Sequence, residues 1–240
     1  ELAGRTAYHS LDKITPDSAK GFVDRMIKSK HGAALEHGTV YLKIPIHRMK
    51  GNKLFWMDSA EKYVNNPFSK CFNDKMVIMS LEDSAYVTTN YRVLQENNWL
   101  DDLQYLCSPT EFHEKRYTMR FTCSRAIAQE LTRHITFSFL MESQRYINYS
   151  KERHGGEITF IEPSWLKEIS YDIEEKFIES LSQAEDNYMW LVHWLQPQQA
   201  RDVIPNATKT ELIMTGFSSD WRFLMDLRLF EKTGAPHPDS

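Results

Sequence analysis

Arg133-His134-Ile135-Thr136-Phe137-Ser138-Phe139-Leu140-Met141-Glu142-Ser143-Gln144-Arg145-Tyr146 sets two arginines, a histidine and two serines at spacings that ordinary packing does not require. Two readings compete for it. Arginines and a histidine at a helix end are commonly solvated or salt-bridged. The flanking Ile127, Leu131, Ile135, Phe137 and Phe139 instead imply a segment running through a core, where arginine requires a carboxylate or an anionic ligand. Arginine also meets phosphate oxygens with two parallel N–H groups, which suits a nucleoside monophosphate better than lysine does.

Around this stretch the pattern alternates between helix and strand. Tyr117 to Thr122 reads as a strand, and Ser124 is placed to cap a helix from Arg125 to about His134 that delivers Arg133 and His134 into the motif. Upstream, Thr15-Pro16-Asp17-Ser18 followed by Phe22, Val23, Met26 and Ile27 predicts a capped amphipathic helix stopped by Gly32, and Val40 to Pro45 a strand. Between them lies His31-Gly32-Ala33-Ala34-Leu35-Glu36-His37. A metal site and a hydrogen-bonded corner both compete with a ligand role for His31, Glu36 and His37. They lack the i, i+4 face of a helical zinc motif, and no metal is assigned.

Downstream, Gly155-Gly156 predicts a turn and Ile158 to Ile161 a short strand. Ser170 to Gln196 carries Ile173, Phe177, Ala184, Tyr188, Leu191 and Leu195 at the spacing of one long helix, suited to a subunit contact or an internal spine. Pro197 opens a further helix and Glu211 to Gly216 a strand. Ser218-Ser219-Asp220 caps a last helix with Trp221, Leu224, Leu227 and Arg228. Helices and strands thus alternate along the chain.

Composition bounds the function. At 240 residues and 41% apolar content the chain can bury a sizeable core. A net charge of −4 with interspersed signs argues against nucleic-acid or membrane-surface binding, so an anionic ligand must be met by a local arginine cluster. No apolar run is long enough to span a bilayer and the N-terminus lacks a signal-peptide layout, so a cytoplasmic location is expected. The three cysteines Cys71, Cys107 and Cys123 form no C-x-x-C pair and read as buried thiols.

The Arg133 to Tyr146 stretch resembles the signature of flavin-dependent thymidylate synthases (the ThyX family): Arg-His-Arg, seven residues, then Ser-x-Arg-Tyr. Arg133, His134, Ser143, Arg145 and Tyr146 fall in place, and Ile135 stands where the third residue is normally Arg. His31 with Glu36-His37, Ala200-Arg201-Asp202-Val203-Ile204-Pro205, and Trp221 to Arg228 are similar to three more family segments, in the family's order. The opening Ala3 to Ser10 is similar more loosely. Residues 46–113 fit poorly and read as an inserted subdomain within a single 1–240 catalytic domain. This stretch holds a polar part (Asn65, Asn66, Ser69, Lys70), a strand at Met76 to Met79 and a helix from Asn90 to Leu106, with Glu111, His113 and Glu114 as surface charge before the next strand.

The resemblance implies an α+β homotetramer, with a mixed sheet flanked by long helices and with shared sites, that methylates dUMP to dTMP, taking carbon from methylenetetrahydrofolate and hydride from FAD reduced by NADPH. It places dUMP against Glu130, Arg133, Glu142, Ser143, Gln144, Arg145, Arg201 and Arg228, and FAD against His31, Arg133 and His134. Arg228 is the catalytic expectation: a guanidinium beside the uracil imide favours its ionised form and raises electron density at C5, shifting such an ionisation by about 1–3 pKa units. The departures gather on the flavin side: Ile135, Met141 for a polar residue, and Phe217 and Ser219 where many members have Asn-x-Arg. The alternatives are a nucleotide-binding relative with a decayed flavin site or altered pyrimidine substrate, and, from another class, a helical oligomeric scaffold. The chain ends at Ser240, where members usually continue, the pattern of a shortened chain.

Overall fold

The computed structural model describes residues 1–45, 58–73, 84–232 and 234–239. The described chain is α+β and divides into two compact units. One comprises Glu1–Ala19, Met119–Met214 and Arg222–Ser240, the other Lys20–Thr118 and Thr215–Trp221. The strand expected at Met76 to Met79 lies outside the described residues.

In the second unit, α2 (Ser18–Lys28) follows α1 (Leu2–Ala7) of the first and buries Phe22 and Met26, one turn apart on a single face. Its end differs from the sequence reading, because Lys30 takes the left-handed conformation (φ 57°) and Gly32 is helical, opening α3 (Ala33–Glu36). Gly32 is small for another reason. A Cβ there would sit 2.8 Å from Arg92 Nε.

β1 (Thr39–Pro45) and β2 (Lys70–Asn73) pair antiparallel on either side of β3 (Ser84–Asn90), which is buried at all seven positions. Leu42, Ile44, Val87 and Leu94 pack with Ala60 and Tyr63 of α4 (Asp58–Val64), each large side chain stabilising by about 2 kcal/mol through burial. Segments from 58–73 and 84–106 thus share a core with β1. The helix expected over Asn90 to Leu106 is broken into α5 (Tyr91–Glu96) and a 3-10 segment (Leu100–Tyr105), with Asn98 left-handed between them (φ 60°). His113, expected on the surface, is buried. Its Nδ1 accepts from the Thr110 N–H (3.1 Å), which fixes the proton on Nε2 for Leu42 O (3.1 Å).

β4 (Arg116–Ser124), β5 (Ser138–Met141) and β6 (Lys209–Phe217) form the other sheet, in the order β4-β6-β5. Two three-stranded sheets therefore replace the single mixed sheet expected, because β3 and β6 each take both their neighbours from within one set. α6 (Arg125–Leu131) starts where Ser124 Oγ accepts from the Ile127 N–H (3.3 Å) and stops before Arg133. The predicted strand at Ile158 to Ile161 is a single bridge, Phe160 to Thr208.

α7 (Tyr171–Leu191) is about 30 Å long. It ends earlier than the predicted Gln196, and α8 (Pro197–Ala200) begins with a Gln196 capping box. Tyr188 of α7 packs with Ile147, Tyr149, Ile158 and Ala200, while Ile173, Ile178 and Trp190 remain exposed. α9 (Ser218–Arg228) is the last helix. No helix among the described residues is long and apolar enough to cross a membrane.

Candidate functional site

Of the residues expected to bind dUMP or the flavin, all but His31 fall in the first unit. They form two groups tied to opposite ends of α6. At its C-terminal end, Arg228 Nη1 donates to Glu130 Oε2 (2.8 Å), and Nη2 reaches the Glu130 carbonyl (3.4 Å). The last turn of α9 thus presents a guanidinium already oriented by a carboxylate. His134 lies next to it, its pKa lowered by burial first and then by the Arg228 and Arg133 charges, which keeps the ring neutral at neutral pH. His134 Nε2 is buried and meets no hydrogen-bond partner among the described residues.

Arg133 is exposed rather than buried, and so is Ile135, at 86%. Because α6 stops at Leu131, the chain turns outward at 133–136 before Phe137 re-enters the core.

The second group follows β5. Glu142 N–H donates to Glu211 O (2.8 Å) and Ser143 N–H to Ala7 O (3.1 Å), so the signature segment is held between β6 and the end of α1. Glu142 and Gln144 point inward and are buried. Arg145, expected to meet its anion in a core, faces solvent with its guanidinium 5.7 Å above the Tyr146 ring. Burial pushes the Glu142 carboxyl up, against the pull of His9 and Lys209 and with the help of Glu211.

Arg125, on the first turn of α6, adds what the sequence reading missed. Burial lowers its pKa, and Tyr149, Arg201 and Glu142 all act on it electrostatically. Arg201 thus joins this group through Arg125. Burial raises the Tyr149 hydroxyl to about 12, and Gln144 faces it. Yet Arg125 Nη1, Gln144 Nε2 and Tyr149 Oη are all buried without closing a hydrogen bond among the described residues. Such groups cost about 1–3 kcal/mol each unless something satisfies them. Arg125 and Tyr149 carry no spacing signal, since only the folded turn brings them to Gln144.

In the second unit, His31 is exposed. Glu36 is held by Arg92, and the Glu36 carbonyl accepts from Arg116 Nη1 (3.0 Å). His37 Nδ1 bonds Thr215 Oγ1 (2.7 Å), which also meets Thr118 Oγ1 (2.7 Å). This is a hydrogen-bonded corner. Among the described residues no three His, Cys, Asp or Glu side chains are arranged to hold a metal ion. Burial raises the thiols of Cys71 and Cys123 to about 11 and that of Cys107 above its ordinary value, so none is an activated nucleophile.

A family model described as thymidylate synthase complementing protein matches residues 79–235. The chain belongs to that family. The match begins inside the 46–113 stretch and takes in both arginine groups. A protein named flavin-dependent thymidylate synthase from Pyrococcus furiosus is 30% identical over 111 residues, covering 46% of this chain and 44% of that protein. Its namesake in Corynebacterium glutamicum is 27% identical over 124 residues, covering 45% and 47%. One from Pyrobaculum aerophilum is 36% identical over 86 residues, covering 36% and 30%. The chain spans about half the length of the first two of these relatives.

Beside the exposed Arg133 guanidinium lies the buried Nε2 of His134, which meets no hydrogen-bond partner among the described residues. A cation beside a neutral imidazole fits the phosphates or ring carbonyls of a flavin.

Proposed function

We propose that this chain carries out the reductive methylation of dUMP to dTMP, with methylenetetrahydrofolate as carbon donor and FAD, reduced by NADPH, as source of hydride. The observation that carries this reading is the pairing of two cationic groups at the ends of α6. Arg228 and Arg133 lie at one end, Arg125 with Arg201 at the other, and the helix separates them by about 8 Å along its axis. A nucleoside monophosphate, with base and phosphate on opposite sides of its sugar, suits that spacing.

Ser143, Gln144, Arg145 and Arg201 bind the phosphate, and the buried amide of Gln144 supplies a donor that the fold leaves unused. Glu142 borders this end. Glu130 fixes Arg228 so that its guanidinium meets the uracil imide and draws charge there without an enzyme nucleophile, consistent with three thiols held protonated. Arg133 and His134 hold the flavin, which when bound supplies the hydride. Orientation of the two rings contributes much of the rate.

The chain reads as one catalytic domain, with 46–113 as an inserted subdomain. The exposed Tyr171, Ile173, Ile178 and Trp190 along α7 support a homotetramer with shared sites. A cytoplasmic location accords with this metabolic role.

The test is direct. Purified protein given FAD, dUMP, methylenetetrahydrofolate and NADPH should form dTMP and oxidise NADPH, and a colourless protein that does neither ends the reading. A second reading, a dUMP-binding relative with a weakened flavin site or another pyrimidine substrate, is favoured by one observation. At the start of α9, where many relatives carry Asn-x-Arg, Glu114 Oε1 accepts from the Ser219 N–H (3.0 Å) and places a carboxylate there. Retained dUMP binding without flavin binding would select it.

A further inference from the structure

His9 and His154 belong to no role described above, yet their rings stack at 4.8 Å with Nδ1 facing Nδ1 at 2.9 Å. His9 Nδ1 also lies 3.5 Å from Glu142 Oε1. His9 occupies the left-handed region (φ 48°), a conformation that non-glycine residues adopt at a cost and that marks a constrained position. It follows Ala7 by two residues, and Ala7 O is the acceptor for Ser143 N–H. We propose that His9 is a positioning residue for the anion-binding segment 142–145, and that a proton shared with His154 makes this segment's hold on a phosphate ligand sensitive to pH.

The logic is one of proton count. Two Nδ1 atoms bond only if one carries a proton and the other a lone pair. The Glu142 carboxylate, 3.5 Å from His9 Nδ1, disfavours a lone pair on that atom, so His9 Nδ1 carries the proton and His154 Nδ1 accepts it, with the proton of His154 on Nε2. The pair survives as neutral plus neutral or as cation plus neutral. A second proton removes the acceptor and sets two cations face to face, so the bond cannot survive protonation of both rings.

The charged and titratable groups facing this arrangement are consistent with that limit. Glu142 is met by His9, Lys209, Glu211, Arg125 and Tyr149, and its carboxylate accommodates one imidazolium beside it. Losing the pair releases His9, and with it the end of α1 that ties Ser143.

The inference rests on the proposed phosphate role of 142–145 only in its last step, and the experiment separates the two. Hydrogen exchange of the peptide spanning 142–146, expressed as protection relative to intrinsic rates, should fall about tenfold between pH 7.5 and 5.5 in the wild-type protein and stay flat in His154→Phe, which keeps the stack but takes up no proton. An equal fall in both proteins, or none in the wild type, overturns the pair as a switch whether or not dUMP is the substrate. The ratio of dUMP affinities at the two pH values should likewise shrink in His154→Phe, the phosphate's own ionisation being common to both proteins. An unchanged ratio beside altered exchange overturns the link to binding alone. Should the variant fail to fold, nitrogen chemical shifts of the wild-type histidines decide the matter, because a proton on His154 Nδ1 at pH 7.5 contradicts the assignment.

Discussion

In the second unit Tyr63 and Lys62 close on Asp102, Arg92 is gripped by Glu36 and Glu96, and Glu114 caps α9, so many polar side chains are spent on one another, although Thr88 Oγ1 in β3 is buried with no hydrogen bond among the described residues. In the first, Arg125, His134, Gln144 and Tyr149 each bury a polar atom that meets no partner among the described residues. Satisfied networks rigidify a scaffold, whereas unsatisfied ones lower stability and persist where a ligand completes them. What differs is grouping: in the first unit the unmet atoms of Arg125, Gln144 and Tyr149 lie together beside the signature segment, the arrangement expected where a ligand completes them.

The strongest way to break this comparison is at Arg228. Arg228→Ala should reduce dTMP formation at least about 100-fold, because it removes the group proposed to meet the uracil, while leaving oligomer size unchanged. It also lifts a repulsion from His134, whose ring proton resonances should then titrate at higher pH. Near-normal turnover would remove Arg228 from the chemistry.

Asp102→Ala tests the opposite side. Tyr63 is fully buried and its hydroxyl donates to Asp102 at 2.5 Å, so the substitution strands both the phenol and Lys62. Urea unfolding should register a loss of about 3 kcal/mol. A loss below about 1 kcal/mol would mean that this network is decoration.

How much of this was legible beforehand depends on range. β1, β4, β6, α2, α7 and α9 follow from periodicity and caps that lie within the segment itself. The break at Asn98 did not show, because left-handed asparagine is a local choice that an apolar spacing of Val93, Leu94, Leu100 and Leu103 conceals. The exposure of Ile135 was hidden by its apolar neighbours. For the site, the signature marked Ser143, Gln144 and Arg145, but Arg125, Tyr149 and the His9–His154 stack come together only through tertiary folding.

Tyr149→Phe sharpens the contrast at intermediate size. Since the hydroxyl is buried without a bond, its removal should leave the ligand-free protein as stable or about 1 kcal/mol more stable, yet weaken dUMP binding about tenfold if the hydroxyl serves the ligand. A stable variant with wild-type affinity would make the orphaned hydroxyl a mere cost of packing. The thiols offer a related check. With Cys71 and Cys123 raised to about 11, the thiolate fraction at neutral pH is negligible, so Cys71→Ser and Cys123→Ser should retain turnover within about twofold, whereas loss of activity on either would point to covalent catalysis.

Ile135→Arg carries the smallest expected effect and bears on the least furnished part of the site. The side chain is 86% exposed, so replacing it forfeits little burial and should shift stability by less than about 0.5 kcal/mol. It would add a cation next to Arg133 and His134, where the family signature carries arginine. Flavin titrations followed by fluorescence quenching should show roughly threefold to tenfold tighter binding, declining as salt is added, because an exposed charge is screened. Unaltered affinity at low salt would mean that the flavin does not approach the 133–135 turn, and the weight of holding it would pass to the second unit, beginning with His31.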